Sequence, residues 1–239
     1  MNEFFTKVST LDETRTKTAG AEHWFSELVK RMGGGEIMKT IITVQHPQSI
    51  HHTNGMIGSW TDWDLSDLGI AQAKRIGERL SQEIQDKKYV IYSSDLLRTK
   101  HTAEIVAGFL GIEPKYTGDL RELNLGEAVG KSEEWAHKNT IVWMKTIDDK
   151  PFRGSESKRE VWNRLVNFHN QIMASNEENI IIISHGGTLS IFIAMWLGFD
   201  VEMLNKCDLL SSSGGLSFMH EDSDKKRIIS RLNDRSYIN

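Results

Sequence analysis

Cysteine is nearly missing from this sequence, with Cys207 standing alone among 239 residues. A disulfide framework within one chain is thereby excluded, as is a cysteine-based zinc site. A lone thiol fits a reducing compartment, so a cytoplasmic location is expected. No stretch reaches the roughly 18 consecutive apolar residues of a membrane span. The first twenty residues carry Glu3, Asp12 and Glu13 in place of an apolar core, against a secretory signal. Positive charge is not in excess either, since the formal net charge is −4. That gives no overall attraction to nucleic acid, while leaving room for local arginines to hold a small anion. Proline is scarce, with three in the chain, and one of them, Pro47, directly follows a histidine.

The length suits one domain, or one domain plus an extension. Residues 1–36 read as the extension: a polar, threonine-rich stretch and a short helix over 21–32, in which Trp24, Phe25, Leu28 and Met32 share a face. Gly33-Gly34-Gly35 follows as a linker that breaks the helix. Its role is open between a loosely docked arm and a packing or homo-oligomer contact.

Residues 37–239 read as the main domain. Met38–Val44, Tyr89–Tyr92 and Ile180–Ile183 are apolar runs of strand length, and Leu216–Met219 and Arg227–Leu232 are read as late, shorter strands. Helical spacing marks a helix from about Leu68, capped by Ser66, another through Thr102, Ala103, Val106 and Leu110, and a third over Ser157–Ala174. An apolar helix follows over Thr188–Leu197. Alternation of strand and helix predicts a three-layer α/β/α sandwich with a mainly parallel central sheet. Such sheets place ligands beyond the carboxyl ends of their strands. Three polar clusters stand directly after strands: Gln45-His46, Ser93 to Arg98, and His185-Gly186. The order predicts that they converge.

Imidazole can attack phosphorus and form a phosphohistidine, dividing one difficult transfer into two easier ones. A guanidinium presents a rigid fork to phosphate oxygens, and a carboxyl group can protonate a departing alkoxide and then activate water. His46, His185, Arg98 and Glu122 are residues of these kinds. No standard metal spacing connects them; His46, His51 and His52 share a loop without an evident carboxylate partner. Neither a metal nor a cofactor is expected.

The blocks TVQHPQS (Thr43–Ser49), Gly58, Trp60, Asp62, LSDLGIAQA (Leu65–Ala73), IYSSDLLRTKHTAEI (Ile91–Ile105), LRELNLGEAVG (Leu120–Gly130), GSES (Gly154–Ser157), IISHGG (Ile182–Gly187) and RLND (Arg231–Asp234) occur in that order. Together they resemble the histidine phosphatase superfamily, also described as phosphoglycerate-mutase-like, from about Met38 to Tyr237. The resemblance implies that His46 is the phosphorylated nucleophile, Arg98 a phosphate-binding arginine and Glu122 the proton donor. It implies that His185 is the second histidine, in contact with the phosphoryl group, and that Ser49 is the small hydroxyl residue after the nucleophile.

The departures lie around the nucleophile. The family's arginine-histidine-glycine triplet is here Gln45-His46-Pro47, and its asparagine six residues beyond the nucleophile is His52. Gln45 can donate to a phosphate but brings no charge. Losing a charge-assisted contact costs about 1.5–3 kcal/mol, or about one to two decades in rate if felt only in the transition state. Pro47 removes a backbone N–H and fixes φ. Without a positive neighbour at position 45, His46 is expected to have a less depressed pKa than a standard family nucleophile, and activity to rise more steeply between mildly acidic and neutral pH.

The span from Glu122 to His185 is short, with one helical excursion around Glu133 to Ile147. Hydrolysis of a small phosphorylated molecule is therefore the simpler expectation. The alternatives are a weakened or inactive phosphate-ligand binding or regulatory protein, and mutase-like phosphoryl transfer. Trp135, Trp143, Met144 and Phe152 are read either as a substrate rim or as packing.

Overall fold

A computed structural model describes residues 27–30, 32–84 and 87–238. Trp24 and Phe25, half of the expected N-terminal helical face, lie outside these residues. Residues 27–30 are helical, Val29 is buried, and Met32 is exposed. The glycine linker docks on the main domain, with Gly35 N–H on Asp222 Oδ2 at 3.3 Å and Ser223 N–H on the Glu36 carbonyl at 2.7 Å.

Six strands form one sheet: β1 Ile37–Gln45, β2 Val90–Ser94, β3 Lys115–Thr117, β4 Asn179–Ser184, β5 Leu216–Asp222 and β6 Arg227–Asp234, in the order β3-β2-β4-β1-β5-β6. β3, β2, β4 and β1 run parallel, while β5 and β6 add antiparallel pairings at one edge. The α/β sandwich is as expected, with a mixed sheet. Two details differ. β5 and β6 have 7 and 8 residues, longer than the 5 of β2; polar residues that pair across the hairpin, His220 with Ser230 and Glu221 with Arg227, hide the full length from an apolar pattern. β3 was not legible, being three residues long and mostly exposed.

Strand alternation divides the core in two. Ile180 and Ile182 pack with Ile41 and Met219 against α4 (Lys158–Ala174) and α5 (Gly186–Trp196), through Val161, Leu165, Phe168 and Phe192. Ile181 and Ile183 pack with Ile42, Val44 and Phe218 against α1 (Asp67–Glu83) and α2 (Leu97–Leu110), through Ile76, Leu80, Ala103 and Val106. Ser66 caps α1 by accepting Gly69 N–H, and Ser157 forms a capping box with Glu160 at α4.

The excursion before α4 is helical only over α3, Glu133–Asn139, and not as far as Ile147. Thr140 is extended, opening the β-branched run Thr140-Ile141-Val142, and Lys145 and Thr146 N–H turn back onto Asp149 Oδ2. Phe152 lies in a small core with Ala128 and Ala136 and stacks on Trp135 at 6.2 Å; Trp143 is exposed, near His137. Among the described residues no helix is long and apolar enough to cross a membrane.

Candidate active site

The sheet register sets the site. Gln45, the last residue of β1, lies opposite Ser184, the last of β4, so His46 and His185 emerge side by side from adjacent parallel strands. Their ring centroids are 5.2 Å apart at 69°. Arg98 comes from the first turn of α2, one strand further on, and is 1% exposed. The convergence expected of the three polar clusters is present.

Arg98 is the hub. Its Nε donates to His46 Nε2 at 3.2 Å, Nη1 to the Thr61 carbonyl at 3.0 Å, and Nη2 to the Ser59 carbonyl at 2.7 Å and His185 Nδ1 at 3.1 Å. A guanidinium can only donate, so His46 Nε2 and His185 Nδ1 both present lone pairs. His46 Nδ1 accordingly donates to the Pro47 carbonyl at 2.8 Å, and His185 Nε2 to Ser94 Oγ at 2.9 Å. Both tautomers follow from the hydrogen bonds. Burial strips Arg98 of water and lowers its pKa to about 10, against the favourable pull of Glu122 and Asp62.

Ser59 has φ +44, in the left-handed region that non-glycine residues rarely occupy. Its hydroxyl donates to the Leu123 carbonyl and accepts Leu125 N–H, holding the turn that aims its carbonyl at Arg98. Ser59, Thr61 and Ser94 were missed by sequence reasoning. Ser59 and Thr61 act through backbone carbonyls, which any residue type possesses, and Ser94 through its hydroxyl.

His46 is held well below the ordinary histidine range, first by burial and then by Arg98. Gln45 brings no charge, but the guanidinium on the ring does, and enclosure outweighs both. His185 is also well below the usual range, for the same two leading reasons.

Gln45 turns its side-chain oxygen to the Ser211 hydroxyl, and its amide nitrogen lies near Gly186, where an added Cβ would stand 3.2 Å away. Ser49 organises two further histidines: its N–H donates to His52 Nδ1 at 3.0 Å and its hydroxyl meets His51 Nδ1 at 2.8 Å. His52 lies nearly parallel to His46, at 13° and 5.5 Å between centroids. Burial pushes His51 down to about 3 and also lowers His52, with Arg98 adding to both.

One nitrogen from each of His46, His51 and His52 falls within a 4.8 Å group, a clustering not evident from spacing. Both His46 nitrogens and His52 Nδ1 are already engaged, however, with Nε2 of His46 facing a cation. That arrangement suits an anion better than a metal ion.

Glu122 sits at the N-terminus of α5. It accepts N–H groups from Leu123, Gly187 and Thr188 at 2.9, 3.1 and 3.2 Å, while the Thr188 hydroxyl donates to the Arg121 carbonyl at 2.7 Å. Gly187 permits this approach, because a Cβ there would lie 2.8 Å from Glu122 Oε1. The Glu122 carbonyl is pinned by Trp60 Nε1 at 2.6 Å and Arg164 Nη2 at 3.0 Å.

Among solved structures, an alpha-ribazole phosphatase from Shigella flexneri superposes with a TM-score of 0.71 at 20% identity, covering 82% of this chain and 96% of that one. A mycobacterial glucosyl-3-phosphoglycerate phosphatase gives 0.69 at 20% identity, over 82% and 98%. These likenesses establish the fold. A putative phosphoserine phosphatase 2 from Hydrogenobacter thermophilus is 30% identical over 197 residues, covering 80% of this chain and 94% of that protein. A 2,3-bisphosphoglycerate-dependent phosphoglycerate mutase from Bradyrhizobium diazoefficiens is 24% identical over 200 residues, covering 77% and 94%. The family model for the histidine phosphatase superfamily (branch 1) matches residues 41–235. This chain belongs to that superfamily.

Proposed function

We propose that the chain hydrolyses a small phosphomonoester through a phosphohistidine on His46. The observation that carries this reading is the fixed His46 tautomer: Nδ1–H is spent on the Pro47 carbonyl, and the Nε2 lone pair faces Arg98 at 3.2 Å. A neutral imidazole oriented in this way is a nucleophile that needs no base.

In the proposed reaction Arg98 binds phosphoryl oxygens, joined by the Gln45 amide nitrogen and His52. His185, whose Nδ1 shares the Arg98 guanidinium, completes the phosphoryl pocket. Ser49 acts through the histidines it orients. Glu122 passes a proton to the leaving alkoxide and then draws one from the water that cleaves the phosphoenzyme. Relatives named as phosphatases and as mutases both fit phosphoryl transfer. Hydrolysis is favoured by the short excursion, whose helix has only 7 residues and which offers little enclosure for an intermediate that must turn and be rephosphorylated.

Rapid-quench experiments against a panel of phosphomonoesters test this. An acid-labile phosphoenzyme and released phosphate are expected from the wild type, with loss of both in His46→Ala. Folded wild-type protein that binds phosphate yet forms no phosphoenzyme would instead establish a binding protein.

A further inference from the structure

The candidate site is poor in positive charge for one that holds phosphate. Arg121 is tied to Asp95 through two contacts at 2.7 and 2.6 Å. Arg164 is tied to Glu156 and to the carbonyls of Asp119, Arg121 and Glu122. Arg98 remains, its charge offset by Glu122 and by the exposed Asp62. The α5 N-terminus, a ready source of N–H donors, has already given those of Gly187 and Thr188 to the Glu122 carboxylate. The neighbouring groups are neutral donors. The Gln45 oxygen is occupied by Ser211, leaving its amide nitrogen. His52 accepts Ser49 N–H at Nδ1, so its proton resides on Nε2.

Resting on the phosphoryl-transfer reading above, we propose that this site takes its phosphoryl group as the monoanion, an ester that still carries one proton. A dianion would meet one guanidinium against two carboxylates. A monoanion brings one negative charge fewer against the same groups, and its remaining P–OH finds an acceptor in Glu122. The chemistry closes without a further reactant. His46 Nε2 forms a bond to phosphorus, the ester P–O bond breaks, and its electron pair leaves on the alkoxide. The proton that the ester brought passes by way of a Glu122 oxygen to that alkoxide, giving the free alcohol. Glu122 then need not enter the cycle protonated, in keeping with the three N–H groups already directed at its oxygens.

Phosphate binding tests this apart from turnover. The full chain is titrated calorimetrically with inorganic phosphate from about pH 5 to about pH 8, and again with methylphosphonate, whose second ionisation lies higher. Apparent affinity should fall about tenfold per pH unit above each ligand's own second ionisation, so the break moves upward with methylphosphonate. Affinity that holds or rises through that ionisation overturns the inference. So does a break at one pH for both anions, which marks a titrating side chain, and so does absence of binding at every pH. Q45R, which adds a guanidinium beside the site, should flatten the fall to under about threefold per unit; an unchanged fall in folded Q45R would overturn the charge deficit as its cause. Binding with the expected pH course but no phosphoenzyme leaves this inference standing and removes the hydrolytic reading. A phosphoenzyme with the opposite pH course does the reverse.

Discussion

His46 and His185 are both enclosed beside Arg98, so protonating either adds a second positive charge to a dry site. The consequence for stability has a definite sign. Their folded pKa values lie below the ordinary value of about 6.5, so the unfolded chain binds more protons once pH falls beneath that value. Stability is then full above about pH 6.5 and declines on acidification, by about 1.4 kcal/mol per pH unit for each of these two buried rings. His51 and His220, lowered to about 3, extend the same trend. Denaturant midpoints should be level above about pH 7 and fall below about pH 6.5; midpoints that rise on acidification would contradict this. The four principal candidate residues, His46, Arg98, Glu122 and His185, were legible because each is ionisable and follows a strand or a loop block. Ser211 was not, since its contact with Gln45 spans 166 residues and a serine in a polar run carries no distinguishing pattern. The contact that adds to the lowering of His46 was not legible either, because sequence shows the neighbour in the chain, whereas Arg98, 52 residues away, is the neighbour in space.

The element that most directly supports the loop after His46 is α1. Ser66 donates through its N–H to the Gln48 carbonyl at 3.1 Å and through its hydroxyl to Gln48 Oε1 at 2.7 Å, while Gln48 N–H donates to Gln72 Oε1 at 3.2 Å. Gly69 makes this contact close enough, since a Cβ there would stand 1.8 Å from the Gln48 carbonyl oxygen. Gly69→Ala must displace the segment two residues after His46 or the start of the helix. The expected outcome is a loss of about 1–3 kcal/mol together with at least about a tenfold fall in kcat/KM, about 1.4 kcal/mol in the transition state. Gly108 in α2 is the internal control. It is exposed, with nothing within 4 Å of an added Cβ, and Gly108→Ala should stabilise by about 0.5–1 kcal/mol without changing activity. Thermal melts and initial rates on both variants check the pair, and equal effects would refute the steric argument. The start of α1 was readable from Ser66 and the periodic apolar residues after it. Where α3 stops was not, because the chain turns extended at Thr140 with no glycine or proline there to mark the end.

The molecule has two poles, joined by β1. At its carboxyl end stands His46; near its start stands Lys39, roughly 23 Å away along an extended strand. The sequence exposed the first pole, because ionisable residues after apolar strands imply chemistry. It concealed the second, because the order of strands and the seating of α4 are set by long-range packing. Lys39 is 9% exposed, and its ammonium donates to the carbonyls of Ile172, Ser175 and Glu177 at 2.8, 3.1 and 2.9 Å. These lie at the end of α4 and the approach to β4, where helix carbonyls lack internal partners. Glu177 extends the tie to the sheet edge through Lys115 and Tyr92 at 2.9 Å each. Lys39→Met keeps the apolar stem but strands three carbonyls, a cost of about 1–3 kcal/mol. The rigid sheet separates that loss from the chemistry, so the denaturant midpoint should fall while kcat at a permissive temperature stays within about twofold, below 0.5 kcal/mol in activation energy. A variant with an unchanged midpoint would show that water replaces the ammonium without loss. A collapse of kcat in protein that is still folded would show instead that the α4 end of the molecule and the phosphoryl site move as one unit.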